Sequence, residues 1–144
     1  MAGSSSSISS QVFTDYSKSA TGKRVEIITV AWTADNADGT VPALSLALNG
    51  YLIKVITNPG ATAPTANYDI ALGDPEDSNL DALNGALANR HTSTTEQVYP
   101  MHAGAPGTVS SHPIFLSGAY SLTVSNNAVN SATGRIIFYL TDEV

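Results

Sequence analysis

Short runs of alternating side chains, rich in β-branched residues, constrain the fold of this chain more than any other feature. In residues 22–32 (GKRVEIITVAW), Val25, Ile27 and Thr29 share one face, and Ile28, Val30 and Trp32 share the other, which is typical of a strand with at least one buried face. A turn at residues 34–40 follows, with Asp38-Gly39 as its tightest signal. Further strands are predicted at residues 68–72, 97–99, 114–116, 119–124 and 134–140.

Residues 43–57 are predicted to form a hairpin. Leu44, Leu46 and Leu48 alternate with small or polar residues, and Asn49-Gly50 separates them from the run YLIKVIT. Asn and Gly both tolerate the positive φ of a type I′ turn, so two apolar runs joined by this pair favour a hairpin. Asn58-Pro59-Gly60 should end its second strand.

One segment between the strands changes period. Asp74 precedes Pro75, and leucines recur at positions 80, 83 and 87, which is the spacing of one helix face. An acidic N-cap followed by proline is a signal for a helix start. The sequence therefore predicts one short inserted helix or helical loop at residues 75–89, and a loop at residues 101–109 before Pro113, which should stop the next strand from extending backwards.

These elements predict an all-β fold. Six to eight short strands with turns at fairly regular spacing favour a β-sandwich of jelly-roll or Greek-key type. The 144 residues suit one domain, which we place at residues 11–144. Residues 1–10 (MAGSSSSISS) lack the apolar area that would offset the entropy of ordering, so we expect a flexible N-terminal arm; a neighbouring subunit is the alternative that would order it.

Charge and composition exclude several classes of partner. Six Lys and Arg residues stand against twelve Asp and Glu residues, a net charge of −6 that argues against a nucleic-acid-binding patch. The chain contains no run of 18 apolar residues, so a membrane span is not predicted. The absence of cysteine excludes a disulfide scaffold. Charged residues make up only 12% of the chain, about half the usual share. So weakly charged a surface favours contact with another protein, and an ordinary secreted β-domain is the alternative.

A search for catalytic chemistry finds no motif. The sequence contains no phosphate-binding glycine loop, no G-x-S-x-G nucleophile elbow and no H-E-x-x-H zinc motif. His91, His102 and His112 are interpreted as solvated or interface residues rather than as a metal site. We therefore expect no enzyme activity, no catalytic residues, no cofactor and no metal.

Four acids between Asp74 and Asp81 form the sharpest charged feature: Asp74, Glu76, Asp77 and Asp81. Their carboxylates are hard oxygen ligands of the kind that bind Ca²⁺, but their spacing does not match a calcium loop. Helix capping and interaction with the helix dipole account for them without an ion, and we favour that interpretation.

The aromatic residues allow a second kind of site. Aromatic rings stack on sugars, so a carbohydrate groove could be lined by Trp32, Tyr51, Tyr68, Tyr99, Tyr120 and Tyr139. Most of these residues lie in predicted strands, where aromatic side chains more often pack in the core or against neighbouring strands.

Several segments resemble, in this order, a family of small all-β phage virion proteins. They are the strand VEIITVAWTADNADG, the run NGYLIKVITNPG, the stretch PTANYDIALGDPEDSNLDALNGALAN, the segment GTVSSHPIFLSGAYSLTVSNN and the closing GRIIFYL. The family includes capsid cement, or decoration, proteins that sit on phage heads as trimers of β-sandwich subunits. The resemblance implies a homotrimer on the outer capsid surface of the virion, with the major capsid protein as partner.

Three functional hypotheses follow from these observations. The first is a capsid cement protein, which needs only buried interface and stabilises the lattice by mass action. The second is a tail, fibre or adaptor protein of the same virion. The third is a carbohydrate-binding or adhesion β-module, suggested by the tyrosines.

Overall fold

The computed structural model describes residues 7–15, 25–103 and 111–142 as strands joined by turns and loops. The eight strands are β1 (Ser7–Asp15), β2 (Val25–Thr33), β3 (Leu44–Pro59), β4 (Asp69–Gly73), β5 (Glu96–Val98), β6 (Met101–Ala103), β7 (Ser111–Ser125) and β8 (Thr133–Thr141). Within these ranges there is no helix, and so none long and apolar enough to cross a membrane. The predicted all-β class is confirmed.

The strands form one antiparallel sheet in which the last strand of the chain is central. Six strands follow the order β1-β2-β8-β3-β7-β4, while β5 pairs with β3 and β6 pairs with β7. β8 lies between β2 and β3 over nearly its whole length, so the sheet cannot be completed before the end of the chain is in place.

β3 is one long strand whose two halves pair with different neighbours. Residues 44–52 pair with β7, and residues 51–59 pair with β8. A β-bulge between Leu52 and Lys54 shifts the register. Before the bulge the even-numbered residues are buried, and after it Val55 and Thr57 are buried. The bulge therefore lets both halves of β3 face the same core.

The predicted hairpin at Asn49-Gly50 is wrong, because these residues lie inside β3. Gly50 does have a positive φ of 123°, but its role is close approach: a Cβ there would lie 2.6 Å from the carbonyl oxygen of Thr141. The runs on either side of Gly50 do not pair with each other, since β7 and β8 already provide their hydrogen-bond partners. No reversal of the chain is needed there.

β7 joins two strands that the sequence predicts as separate. Pro113 lies within β7, opposite Met101 of β6, and pairing with β3 begins only at Ile114. Proline lacks an N–H donor, so a strand tolerates it where a neighbour pairs on one side only. Gly118, with a φ of 131°, continues the strand against Pro75, whose Cγ would lie 3.1 Å from an added Cβ.

The predicted helix at residues 75–89 is also wrong. The segment makes successive tight turns, in which backbone N–H groups donate to the carbonyl oxygen three residues earlier. Asn84 and Gly85 both have positive φ, at 49° and 80°, and this left-handed backbone interrupts a helical hydrogen-bond pattern. Leu83 and Leu87 are buried as the leucine spacing requires, while Leu80 is 60% exposed.

The core is a single cluster of buried apolar side chains on one side of the sheet. Trp32, Phe138 and Tyr68 are its largest members, and the Trp32 and Tyr68 rings meet at 5.8 Å between centroids. The Trp32 indole lies directly over Gly134, where an added Cβ would be only 2.5 Å from the ring. Large and small residues on neighbouring strands therefore fit together.

The remaining predicted elements match more closely. The strands at residues 22–32, 68–72, 97–99 and 134–140 correspond to β2, β4, β5 and β8, although residues 22–24 lie outside the described part of the chain. The predicted loop at residues 101–109 begins instead with β6, and residues 104–110 are not among those described. Of the predicted arm, residues 7–10 belong to β1, and residues 1–6 also fall outside the described ranges.

Candidate interaction surface

The face of the sheet opposite the core is also apolar along β2, β8 and the second half of β3. In β2 and β8 the side chains that alternate with the buried ones are half-buried or exposed, and most of them are apolar or threonine; Arg135 is the charged one. The register sets Ile27 beside Tyr139, and Ile137 beside Ile56. We call this surface the outer face; its apolar members are Val25, Ile27, Tyr51, Ile56, Phe115, Ile137 and Tyr139.

Phe115 extends the outer face onto β7. Its side chain is 60% exposed, and its ring meets Tyr51 edge to face at 5.1 Å between centroids. The other apolar members of the outer face are half-buried. A contiguous apolar patch on a soluble monomer often serves an interaction.

Lys54 crosses the outer face and links two of its tyrosines. Its Nζ lies 4.5 Å from the centre of the Tyr139 ring and 3.3 Å from Oε1 of Gln97. The Gln97 amide in turn donates a hydrogen bond to the hydroxyl of Tyr99, whose ring is exposed. A cation held over an aromatic face and tied to a neighbouring amide gives this apolar surface a defined polar edge.

The outward positions of β2, β5, β8 and the second half of β3 include two charged residues, Lys54 and Arg135, and no acid. The Asn58 amide oxygen accepts a hydrogen bond from Arg135 Nη2 at 3.0 Å. β1 lies beside β2 in the same sheet, and its Asp15 is the register partner of the outer-face residue Val25. Two cations therefore lie on the strands of the outer face, and one acidic position lies at its border.

The six aromatic residues proposed for a sugar groove do not form one site. Trp32, Tyr68 and Tyr120 belong to the core, and the Tyr120 hydroxyl accepts a hydrogen bond from the Ser117 N–H at 2.9 Å. Tyr51, Tyr99 and Tyr139 instead lie on or beside the outer face. The structure therefore brings together three of the six and adds Phe115, which the sequence analysis did not single out.

Burial sets Tyr68 apart from the other tyrosines. Removal of the hydroxyl from water and, to a smaller extent, the negative charge of Glu96 raise its pKa to about 12, while the positive charge of Arg90 opposes the shift. Arg90 and Glu96 also form an ion pair at 3.7 Å. The Tyr68 hydroxyl is therefore held neutral, as a structural rather than a reactive group.

The acids between Asp74 and Asp81 organise the loop that covers the edge of β4. Asp81 accepts backbone hydrogen bonds from Leu72, Leu83 and Gly85, at 3.0, 3.1 and 2.7 Å. Asp74 and Asp77 each accept from the backbone N–H two residues on. These bonds replace the helix capping predicted for them, which cannot apply where no helix forms.

The tip of this segment, residues 74–81, is mostly exposed; we call it the acidic loop. Beside it, a groove of about 530 Å³ separates Glu76 from the small residues Ser45 and Ala119 of β3 and β7. In the part of the chain that the structure describes, no three His, Cys, Asp or Glu side chains are placed to hold a metal ion.

The three histidines lie in two different parts of the fold. His91 Nδ1 accepts hydrogen bonds from the N–H groups of Ser93 and Thr94, at 3.1 and 2.9 Å, and thereby shapes a turn. His102 and His112 are register partners in β6 and β7, and His112 is exposed. The His102 side chain lies outside the described part of the structure.

The outer face was not predicted, although the pattern that indicates it is present in the sequence. Residues 25–32 and 136–140 carry apolar side chains at both parities, and a strand with only one buried face would alternate apolar with polar residues. Comparison with family models, curated proteins and solved structures finds no match to this chain.

Proposed function

We propose that this chain is a bacteriophage virion structural protein, a capsid cement (decoration) protein that binds the assembled head lattice. The observation that carries the proposal is the outer face, whose apolar side chains are half-buried on β2, β3 and β8 and whose Phe115 is 60% exposed. Such a surface serves binding rather than catalysis. The sequence resemblance to small all-β virion proteins supports the same function.

In this proposal the protein acts as a β-sandwich subunit of jelly-roll or Greek-key type. Support comes from β3, whose two halves belong to different parts of the sheet while facing one core. The subunits form a homo-oligomer, with a trimer favoured, on the outer capsid surface, and their partner is the major capsid protein. A ligand that binds only the assembled lattice stabilises that lattice by mass action.

The test is cosedimentation with phage heads. The protein is added to heads assembled from the major capsid protein of the phage that encodes it, and in parallel to the unassembled capsid protein. It should pellet with the heads and raise their melting temperature, while it leaves the unassembled protein unbound. If it stays in the supernatant in both mixtures, the cement function is wrong.

Two alternatives keep their own support. A tail, fibre or adaptor protein of the virion would use the same apolar face, and labelled protein found on tails rather than on heads would favour it. A carbohydrate-binding or adhesion module is supported by two aromatic groups, Tyr51 with Phe115, and Tyr139 linked to Tyr99 through Lys54 and Gln97. Binding on a glycan array that is lost in a Tyr139→Ala variant would favour the module.

A further inference from the structure

We infer that the outer face of one copy of this chain binds the acidic loop of a second copy, so that the copies associate head to tail. The inference deepens the homo-oligomer of the proposed function by naming the two surfaces in contact. It can be tested in solution without a capsid, so that its failure and the failure of the cement function are distinct results.

The charges of the outer face favour an acidic occupant. Among the described residues the cations are Lys54, Arg90 and Arg135. Arg90 pairs with Glu96 within its own chain, at 3.7 Å. The other two lie on the outer face, where Lys54 stands over the Tyr139 ring. An apolar surface that carries two cations is complementary to a partner that combines carboxylates with an apolar side chain.

The acidic loop has that combination. Glu76 and Asp77 are exposed, and Leu80, three residues further on, is 60% exposed. Among the described residues, four large apolar side chains are exposed: Leu80, Tyr99, Met101 and Phe115. A second copy of the chain thus supplies both features that the outer face would bind.

The loop is also built firmly enough to act as a binding element. Asp81 fixes its base through three backbone hydrogen bonds, and the Leu80 N–H donates to the Asp77 carbonyl oxygen at 2.9 Å. Little conformational entropy remains to be lost when it docks, which lowers the cost of association.

The two surfaces occupy different parts of the sheet. The outer face belongs to β2, β8 and the second half of β3, whereas the acidic loop lies against Gly118 of β7 through Pro75. Gly50 of β3 and Gly118 of β7 both have positive φ. They lie on neighbouring strands, between the outer face and the acidic loop. A contact between unlike surfaces is heterologous, and it closes into a ring when the rotation per copy allows.

Paired charge reversals test the inference by sedimentation velocity. One variant carries Lys54→Glu with Arg135→Glu, and the other carries Glu76→Lys with Asp77→Lys. Each variant alone should weaken self-association by at least about tenfold, because like charges then meet at the contact. An equimolar mixture should regain association, since each reversed surface meets its complement. Added salt should weaken the mixture.

Two controls accompany these variants. Lysine at four exposed alanines outside the outer face and the acidic loop (Ala37→Lys, Ala63→Lys, Ala66→Lys and Ala128→Lys) changes the net charge as much as the loop reversal does and should keep the parent's association. Phe115→Ser removes exposed apolar area and should weaken association without unfolding the chain. Circular dichroism on every variant establishes that each remains folded.

Three results would overturn the inference. A parent that sediments as a 14.9 kDa monomer at all concentrations would show that copies do not associate. Association lost in the outer-face variant but kept in the loop variant would show face-to-face pairing. Association unchanged in both variants would show that the contact between copies lies elsewhere.

Discussion

At the scale of single residues, close packing decides which side chains this protein can accept at a position. Trp32 is buried over Gly134, and Gly50 admits the carbonyl oxygen of Thr141, so two glycines are required by close neighbours rather than by turns. Tyr68 is the titratable residue that burial affects most clearly, because its ring packs against Trp32 and its pKa rises to about 12. That shift makes its contribution to stability depend on pH in the alkaline range.

We predict that the free energy of unfolding falls between about pH 10 and pH 12 partly through Tyr68. The unfolded chain releases this proton near the ordinary tyrosine pKa of about 10, whereas the folded chain retains it until about 12. The unfolded state is therefore favoured as pH rises through this window, and the Tyr68 contribution is intact below it.

Urea denaturation at pH 9 and pH 11 measures this effect. Tyr68→Phe keeps the ring and should lose less stability between the two pH values than the parent does. Tyr99→Phe, at an exposed ring, is the matched control and should follow the parent. Equal losses in all three proteins would contradict the assignment to Tyr68.

Among the elements, the segment between β4 and β5 shows how turns can replace a helix at a sheet edge. The Ile70 N–H donates to the carbonyl oxygen of Leu87, and the carbonyl oxygen of Leu72 accepts from the Ala82 N–H. These backbone hydrogen bonds cover the edge of β4. A helix satisfies its own backbone and leaves such an edge open. The exposed donors of β4 therefore favour an irregular chain that pairs with them.

Asp81 should be the residue on which this segment depends most. Asp81→Ala removes the acceptor for three backbone N–H groups and should lower the free energy of unfolding by about 2–3 kcal/mol. Asp77→Ala, in an exposed turn of the same loop, should cost less than about 1 kcal/mol. Urea denaturation compares the two; equal effects would show that Asp81 does not organise the loop.

At the scale of the whole molecule, the order of strands makes folding dependent on contacts distant in sequence. β2 pairs with β8, and their register partners Val25 and Thr141 are over a hundred residues apart. Sheets dominated by such pairings fold slowly, because loop closure must precede the contacts that reward it. The position of a strand in the sheet, more than its length, then decides how far the fold depends on it.

Two truncations of comparable strands should have unequal effects. Deletion of residues 133–144 removes β8 from the centre of the sheet and separates the β1-β2 pair from β3, so the chain should lose its cooperative thermal transition. Deletion of residues 1–15 removes the edge strand β1, also nine residues long, and should leave a cooperative transition at a lower temperature. Circular dichroism melts of both proteins make the comparison, and a folded chain without β8 would contradict the topology.

The amino-acid sequence alone determined the β class, most strand positions and which side chains share a face, because alternation in a strand is a local property. Ile136, Phe138 and Leu140 face the core as their spacing requires. Tertiary structure decided what the strands pair with: Asn49-Gly50 lies within β3 because β7 and β8 pair with its two halves, and the leucines at 80–87 lie in turns because the edge of β4 needs partners. The candidate surface depended on both. Its apolar residues are plain in the sequence, but only the register of β2, β8 and β3 brings them onto one face beside Phe115 and Lys54.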